Sequence, residues 1–207
     1  MRRSTPNAGQ CSHITIRCHN KAFLFNLEQN GEEILSWLCS LPLFFDINLH
    51  HYVIMSNHIH MLISPTKNNL ANAMSYCLSN LARFLNHRNN KVNQVFGARY
   101  CPTIIREESH LINVIRYVYQ NPLRAGIVEN IIDYKFSSLS FYMGLDNPRI
   151  QLHPDPITKA FINSGADGYW NWLNNILQVL PDNDIKQVKQ SMNRYIFRFS
   201  LRQLLVL

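Results

Sequence analysis

At 207 residues, 46% hydrophobic and only 16% charged, the chain is long enough for one domain with a real core plus an appendage, and too apolar to be disordered. No apolar run approaches the ~20 residues that span a bilayer. The start, MRRSTPNAGQCSH, has basic residues with no apolar run behind them, unlike a secretory signal, so a cytoplasmic protein with no membrane partner is expected. The formal net charge of +7 favours a polyanionic partner, most simply nucleic acid.

The five cysteines (Cys11, Cys18, Cys39, Cys77, Cys101) form no C-x-x-C pair and read as reduced thiols, which argues against a cysteine zinc site. Ser12 to Cys18 alternates, with Ile14 and Ile16 on one face and His13, Thr15 and Arg17 on the other, and predicts a first strand. Asn26 is placed to cap a helix whose apolar positions run through Ile34, Leu35, Trp37, Leu38 and Leu41, with Pro42 expected to close it. Ile47–Met55 and His58–Ser64 predict two strands joined at Ser56 and Asn57 in an antiparallel hairpin. Leu70 to Leu85 carries a helical apolar stripe, Tyr100 to Ile105 a short strand, and Glu107 to Asn121 a third helix ended by Pro122.

This order of strand, helix, strand, strand, helix, strand and helix predicts an α+β fold. The expectation is a ferredoxin-like or RRM-like antiparallel sheet with helices packed on one face, which leaves the other face open for a site. After Gly144 the composition changes. Pro148, Pro154 and Pro156 punctuate a linker, and Tyr169–Leu180 and Asp184 to about Tyr195 predict two further helices, the second carrying Lys186, Lys189 and Arg194. The expected organisation is a catalytic domain over residues 1–143 followed by a linker and C-terminal helical appendage over 144–207.

Within Tyr52 to Ser64 (YVIMSNHIHMLIS), His58 and His60 are separated by one residue. A strand projects both imidazoles from one face, with Cα atoms roughly 6.5–7 Å apart, and turns Ile59, Met61 and Ile63 to the other. On the third helix, Leu111, Ile112, Ile115, Val118 and Tyr119 share one stripe. Tyr117 and Asn121 fall well away from it and one turn apart, with His110 on the same side. Two imidazoles and the Asn121 Oδ1 suit a hard divalent cation. An exposed Tyr117 one turn away would reach a phosphate held there and attack it as phenolate.

Three motifs, YVIMSNHIHMLI from Tyr52, FGARY at Phe96–Tyr100 and YVYQNPLRAGIV from Tyr117 to Val128, together with HITIRCHNKAFLF from His13, resemble the REP-associated tyrosine transposases. These are a branch of the single-tyrosine HUH transposases, and the resemblance covers roughly residues 10–143. It implies His58, His60 and Asn121 as ligands of Mg²⁺ or Mn²⁺, and Tyr117 as the nucleophile that forms a 5′-phosphotyrosine and frees a 3′-hydroxyl. It also implies single-stranded and hairpin DNA as substrate; whether the chain acts as a monomer or homodimer is left open by the sequence. Two features depart from the family. Ser56 stands where it usually has proline, and the apolar end RYIFRFSLRQLLVL is unlike its polar, glycine-containing endings.

Arg17, Arg83, Arg88, Lys91, Arg99, Arg106, Arg116 and Arg124 are candidate phosphate contacts, with Arg124 expected nearest the scissile phosphate. Tyr52, Tyr76 and Tyr100 are candidates for base stacking. Two other readings compete with a transposase-like nuclease: a domesticated hairpin-DNA-binding protein that no longer cleaves, and an RNA-binding module of similar fold. A buried Tyr117 without a metal site would favour the second of these.

Overall fold

The computed structural model describes residues 5–92, 94–145 and 150–193. Strands β1 (Ser12–Arg17), β2 (Ile47–Met55), β3 (His58–Pro65) and β4 (Cys101–Ile104) form one antiparallel sheet in the spatial order β2-β3-β1-β4. Helix α1 (Leu27–Phe45) follows β1 and α2 (Leu70–Arg88) follows β3, which completes the ferredoxin-like order. Then come α3 (Glu108–Tyr119), the single turn α4 (Asn121–Arg124), α5 (Leu139–Tyr142), α6 (Pro156–Asn163), α7 (Ala166–Leu177) and α8 (Asp182–Asn193). Pro148, Arg194 and the apolar end 194–207 lie outside the described residues. Among the described residues no helix is long and apolar enough to cross a membrane.

The period of two along each strand sorts the sheet into two faces. Ile16 of β1 and Ile59 and Met61 of β3 meet Trp37, Leu38 and Leu41 of α1 and Met74, Cys77 and Leu81 of α2. Each such buried aliphatic side chain contributes about 1.5–3 kcal/mol. A carboxylate at Met61, which is fully buried, would break this layer by leaving a charge with no partner.

Helix α1 does not stop at Pro42 but runs three residues past it, to Phe45. A proline removes one N–H, and here that loss falls near the helix end. The Asp46 N–H closes the helix on the Leu41 carbonyl, from a left-handed Asp46 whose carboxylate takes Lys67 Nζ at 2.6 Å. The third helix ends earlier than expected, at Tyr119, and restarts at Asn121. Pro122 brings no N–H there, and Asn121 Nδ2 instead donates to the Tyr117 carbonyl at 2.7 Å and the Val118 carbonyl at 3.4 Å.

A β-bulge in β2 shifts the register between Leu49 and His51. Leu49 pairs with Ile63 on the α1/α2 face, and His51 pairs with Leu62 on the other. Plain alternation would have put both on one face; the extra residue, His50, turns His51 onto the face of His58 and His60.

That second face is where the expectation of an open surface needs refining. Helices α1 and α2 cover the first face, while α3 lies across β2 and β3 on the second, flanked by α7 and α8. Arg116 of α3 donates to the Gln178 carbonyl at 2.9 Å, and Gln120 both donates to that carbonyl and accepts from the Leu180 N–H. These bonds tie the C-terminal helices to the helix that carries Tyr117.

Candidate active site

The two halves predicted from sequence meet. Strand pairing places Thr15 beside His60 and Arg17 beside His58 on the second sheet face. The His58 and His60 ring centroids are 4.9 Å apart, and the Tyr117 ring stands edge-on to His60 at 5.6 Å. Asn121 lies within hydrogen-bonding reach of both the His58 and the Tyr117 side chains. Its Nδ2 also donates to the Tyr117 and Val118 carbonyls of α3.

Tyr117 is not exposed, as the helical wheel suggested, but only 6% exposed. The wheel found only part of the buried face of α3: Leu111, Ile115, Val118 and Tyr119 are buried, but Ile112 is half-buried and Val114, left out of the stripe, is buried. It did not register that a helix lying on a sheet and beside two other helices is covered well beyond that stripe. Burial raises the Tyr117 phenol above its ordinary value, and the nearby charges of Arg17 and Arg124 and the Asn121 hydrogen bond work against the rise. Tyr119, expected as packing, is 1% exposed.

The histidines are held neutral. Burial lowers His58 to about 4, with Arg17 adding to the effect and Asn121 opposing it. Burial also puts His60 well below its ordinary value, with His13, His58 and Arg17 in the same direction. Neutral imidazoles are the form that binds metal. The His60 Nε2 is buried and has no hydrogen-bond partner. Among the described residues no group of three or more His, Cys, Asp or Glu side chains is placed to hold a metal ion.

From sequence His13 defaults to a structural or surface role, yet it is part of this cluster. It is 1% exposed, stacks on His60 at 5.0 Å and brings Nε2 to 2.9 Å from His60 Nδ1. The available signal was its alternation with Thr15 and Arg17 on β1. His110, in the first turn of α3, is the charge neighbour of His13. His51 lies elsewhere: it bonds Tyr119 and Asp155, not the cluster.

Tyr117 lines a cleft of about 720 Å³ whose walls carry Arg17, Lys21, Arg99 and Lys189. Of the arginines named from sequence, Arg17 and Arg99 are in it, and Arg124 acts on Tyr117 while sitting 3.8 Å from Asp182. Lys21 and Lys189 were not among the basic residues singled out from sequence as candidate phosphate contacts. The FGARY motif shapes one wall. Phe96 bridges Cys18 and packs edge-on against Phe25, and Gly97 sits so close to His19 that an added Cβ would lie 3.3 Å from its Cα.

The structure does not bring Arg83, Arg88, Lys91 or Arg106 into this cleft. Arg83 bonds Asn80, and Arg88 pairs with Glu33 at 3.2 Å, both on the helices of the first face. Arg116 is engaged by the carbonyls of Gln178 and Val179. Of the stacking candidates, Tyr52 is buried, Tyr76 is exposed, and Tyr100 lines a separate groove of about 660 Å³ between α2 and β4.

The family described as IS200-like transposase matches residues 9–121, from just before β1 to Asn121. A curated protein of Haemophilus influenzae, named as a REP-associated tyrosine transposase, is 28% identical over 96 residues, covering 41% of this chain and 54% of its own length. The chain therefore spans about half the length of the curated relative it matches. A solved structure of a REP-associated tyrosine transposase bound to a REP hairpin superposes with a TM-score of 0.58 at 14% identity, over 75% of this chain and 94% of that one. This likeness is one of fold. A transposase structure from Deinococcus radiodurans superposes with a TM-score of 0.39 at 12% identity, over 57% of this chain and 95% of that one.

Proposed function

Because the chain belongs to the IS200-like transposase family, we propose that it is a single-strand DNA endonuclease and strand transferase that works at hairpin DNA of the REP type through a phosphotyrosine at Tyr117. The observation that carries the reading is the contact of Tyr117 with His60 and Asn121 at the wall of a basic cleft. In this reading Arg17, Lys21, Arg99 and Lys189 hold the phosphates of the entering strand, with Arg83, Arg88, Lys91 and Arg106 left to contacts farther from the cut.

Tyr117 Oη gives its proton to solvent and bonds to the phosphorus as the bond to the 3′ oxygen breaks and that oxygen takes a proton from solvent, leaving a 5′-phosphotyrosine and a 3′-hydroxyl. Attack by a 3′-hydroxyl on that linkage reverses the step and joins strands without ATP. The phenol is buried and starts above its ordinary value, so its ionisation relies on positive charge. Arg17 and Arg124 supply part of it.

His58, His60 and Asn121 fit a Mg²⁺ or Mn²⁺ ion, on the strength of two neutral imidazoles, an accepting amide oxygen and the partnerless His60 Nε2. Such an ion would polarise the scissile phosphate and neutralise its developing charge.

The burial of Tyr117, which the sequence tied to an RNA-binding module, equally suits a second reading, a hairpin-DNA-binding protein that does not cleave. Membership of a transposase family weighs against the RNA-binding reading. One experiment separates the first two. A labelled single-stranded REP hairpin with Mn²⁺ is expected to give a covalent adduct that disappears with chelator and with Tyr117→Phe. Tight hairpin binding with no adduct at any metal concentration would select the second reading. An adduct that survives Tyr117→Phe would remove the nucleophile assignment.

A further inference from the structure

His60 Nδ1 has two neighbours, His13 Nε2 at 2.9 Å and Thr15 Oγ1 at 3.3 Å, while His60 Nε2 has none. Two neutral proton placements fit the short contact. In one, His13 Nε2–H donates to His60 Nδ1, and His60 carries its own proton on Nε2, where a buried donor meets no acceptor. In the other, His60 Nδ1–H donates to His13 Nε2, and the Nε2 lone pair is left bare beside the His58 and Tyr117 rings. Orphaned buried N–H groups are rarer than under-satisfied acceptors, and the second placement is the one a cation would use.

His58 supports the same logic independently. Asn57 Nδ2 lies 3.1 Å from the Lys21 carbonyl, which only accepts, so the amide NH₂ must face it. Asn57 Oδ1 is thereby turned to His58 Nδ1 at 2.5 Å, and that nitrogen must be the donor. The bare nitrogen of His58 is again Nε2. Neighbours on β1 and in the hairpin turn thus treat both histidines alike.

We propose that His13 is a positioning residue that fixes His60 as its Nδ1–H tautomer and so presents the Nε2 lone pair to a divalent cation. The role rests on the metal reading of the site given above. A metal-binding histidine usually donates its other N–H to a carboxylate, a carbonyl or water. Here the acceptor is a second imidazole, which accounts for a buried histidine on β1 whose ring stacks on His60.

The test begins without metal. A long-range ¹H–¹⁵N correlation spectrum of the ¹⁵N-histidine-labelled protein at pH 7.5 is expected to show His60 protonated on Nδ1 and bare on Nε2. The opposite tautomer overturns the proposal. Mn²⁺ affinity, read from the electron paramagnetic resonance signal of the free ion, is then compared across variants. His13→Leu removes the acceptor and should weaken binding about 10–100-fold, whereas His13→Gln keeps an acceptor oxygen and should hold affinity within a few-fold.

Equal affinity in His13→Leu and the unsubstituted protein, or equal loss in both variants, overturns the positioning role. If His13→Leu does not fold, the spectrum of the unsubstituted protein decides. If that protein shows the expected tautomer but binds no Mn²⁺, the metal reading fails and the tautomer assignment stands.

Discussion

At one end of the second sheet face, His51 has a partner for each ring nitrogen. Its Nε2 meets the fully buried Asp155 carboxylate at 2.8 Å, and its Nδ1 meets the Tyr119 hydroxyl at 2.6 Å. Tyr119 continues to Ser138 Oγ at 2.9 Å, which takes the Tyr52 N–H. Asp155 also caps α6 through the Ile157 and Thr158 N–H groups. At the other end, the His13, His58 and His60 cluster has no carboxylate partner among the described ion pairs, and one ring nitrogen of His60 is bare. Both clusters are rich in buried polar atoms. The closed network can only hold β2, α3 and α6 together, whereas the open one keeps bonding capacity in reserve.

Acid should have the largest effect on stability. Burial lowers His13 to about 3 and His50 and His110 to about 4, against an ordinary 6.5. Between pH 6.5 and 4 the unfolded chain takes up protons that the native state refuses, so stability falls as pH falls. Each such group removes about 1.4 kcal/mol per pH unit, and three together about 4 kcal/mol per unit, against a usual total of about 5–15 kcal/mol. Asp155 behaves in the opposite sense. Burial would raise its carboxyl, but the hydrogen bond and charge of His51 and the bonds from Thr158 outweigh that and hold it low. Its contribution is complete above its unfolded value of 3.8 and is lost only below the window. Urea unfolding followed by circular dichroism at pH 7, 6 and 5 should therefore show a steep loss, with the same slope in Asp155→Asn. A flat profile would mean that these buried imidazoles take up protons in the folded chain as readily as in the unfolded one.

The next effect is on chemistry. His60→Gln should lower adduct formation on a REP hairpin by at least about 10³-fold, about 4 kcal/mol of transition-state stabilisation. Folding stability at pH 7.5 should move by no more than about 1 kcal/mol, because the side chain being replaced is not fully bonded. Loss of stability without loss of adduct would reverse the roles of the two clusters.

Much of this was readable in the chain. The strands, their faces, the His58/His60 pair and the Tyr117/Asn121 turn follow from local periodicity, because residues two apart on a strand and four apart on a helix meet their partners in known directions. The closed network was not readable. His51 reaches that face only through a bulge at His50, and its partner Asp155 lies 104 residues away. His13 escapes notice because its role depends on which strand pairs with β1, and alternation alone cannot report that. Tyr117 reads as exposed because a wheel shows one helix and not the layers placed on it.

The closed network makes a stability prediction. Asp155→Ala leaves His51 buried beside an empty acceptor position and uncaps α6, and it should destabilise by about 3–5 kcal/mol. Adduct formation by the fraction that remains folded should be unchanged, which a gel assay calibrated to folded protein would show.

The smallest effect is the most discriminating one. Tyr117 and Tyr119 sit two residues apart on α3 and are both buried, so the loss of either hydroxyl changes little in shape. Tyr119→Phe removes the hydroxyl between His51 Nδ1 and Ser138 Oγ, leaves the buried His51 Nδ1 without a partner while Ser138 Oγ keeps its bonds to Tyr52, and should cost about 1–2 kcal/mol. Tyr117→Phe removes a hydroxyl that closes no such chain, and its thermal stability should stay within about 0.5 kcal/mol of the unsubstituted protein. The adduct should respond the other way round, intact in Tyr119→Phe and absent in Tyr117→Phe. If Tyr119→Phe abolished the adduct while leaving stability untouched, the nucleophile would belong to the closed network, and the difference between the clusters would have to be drawn again from their atoms.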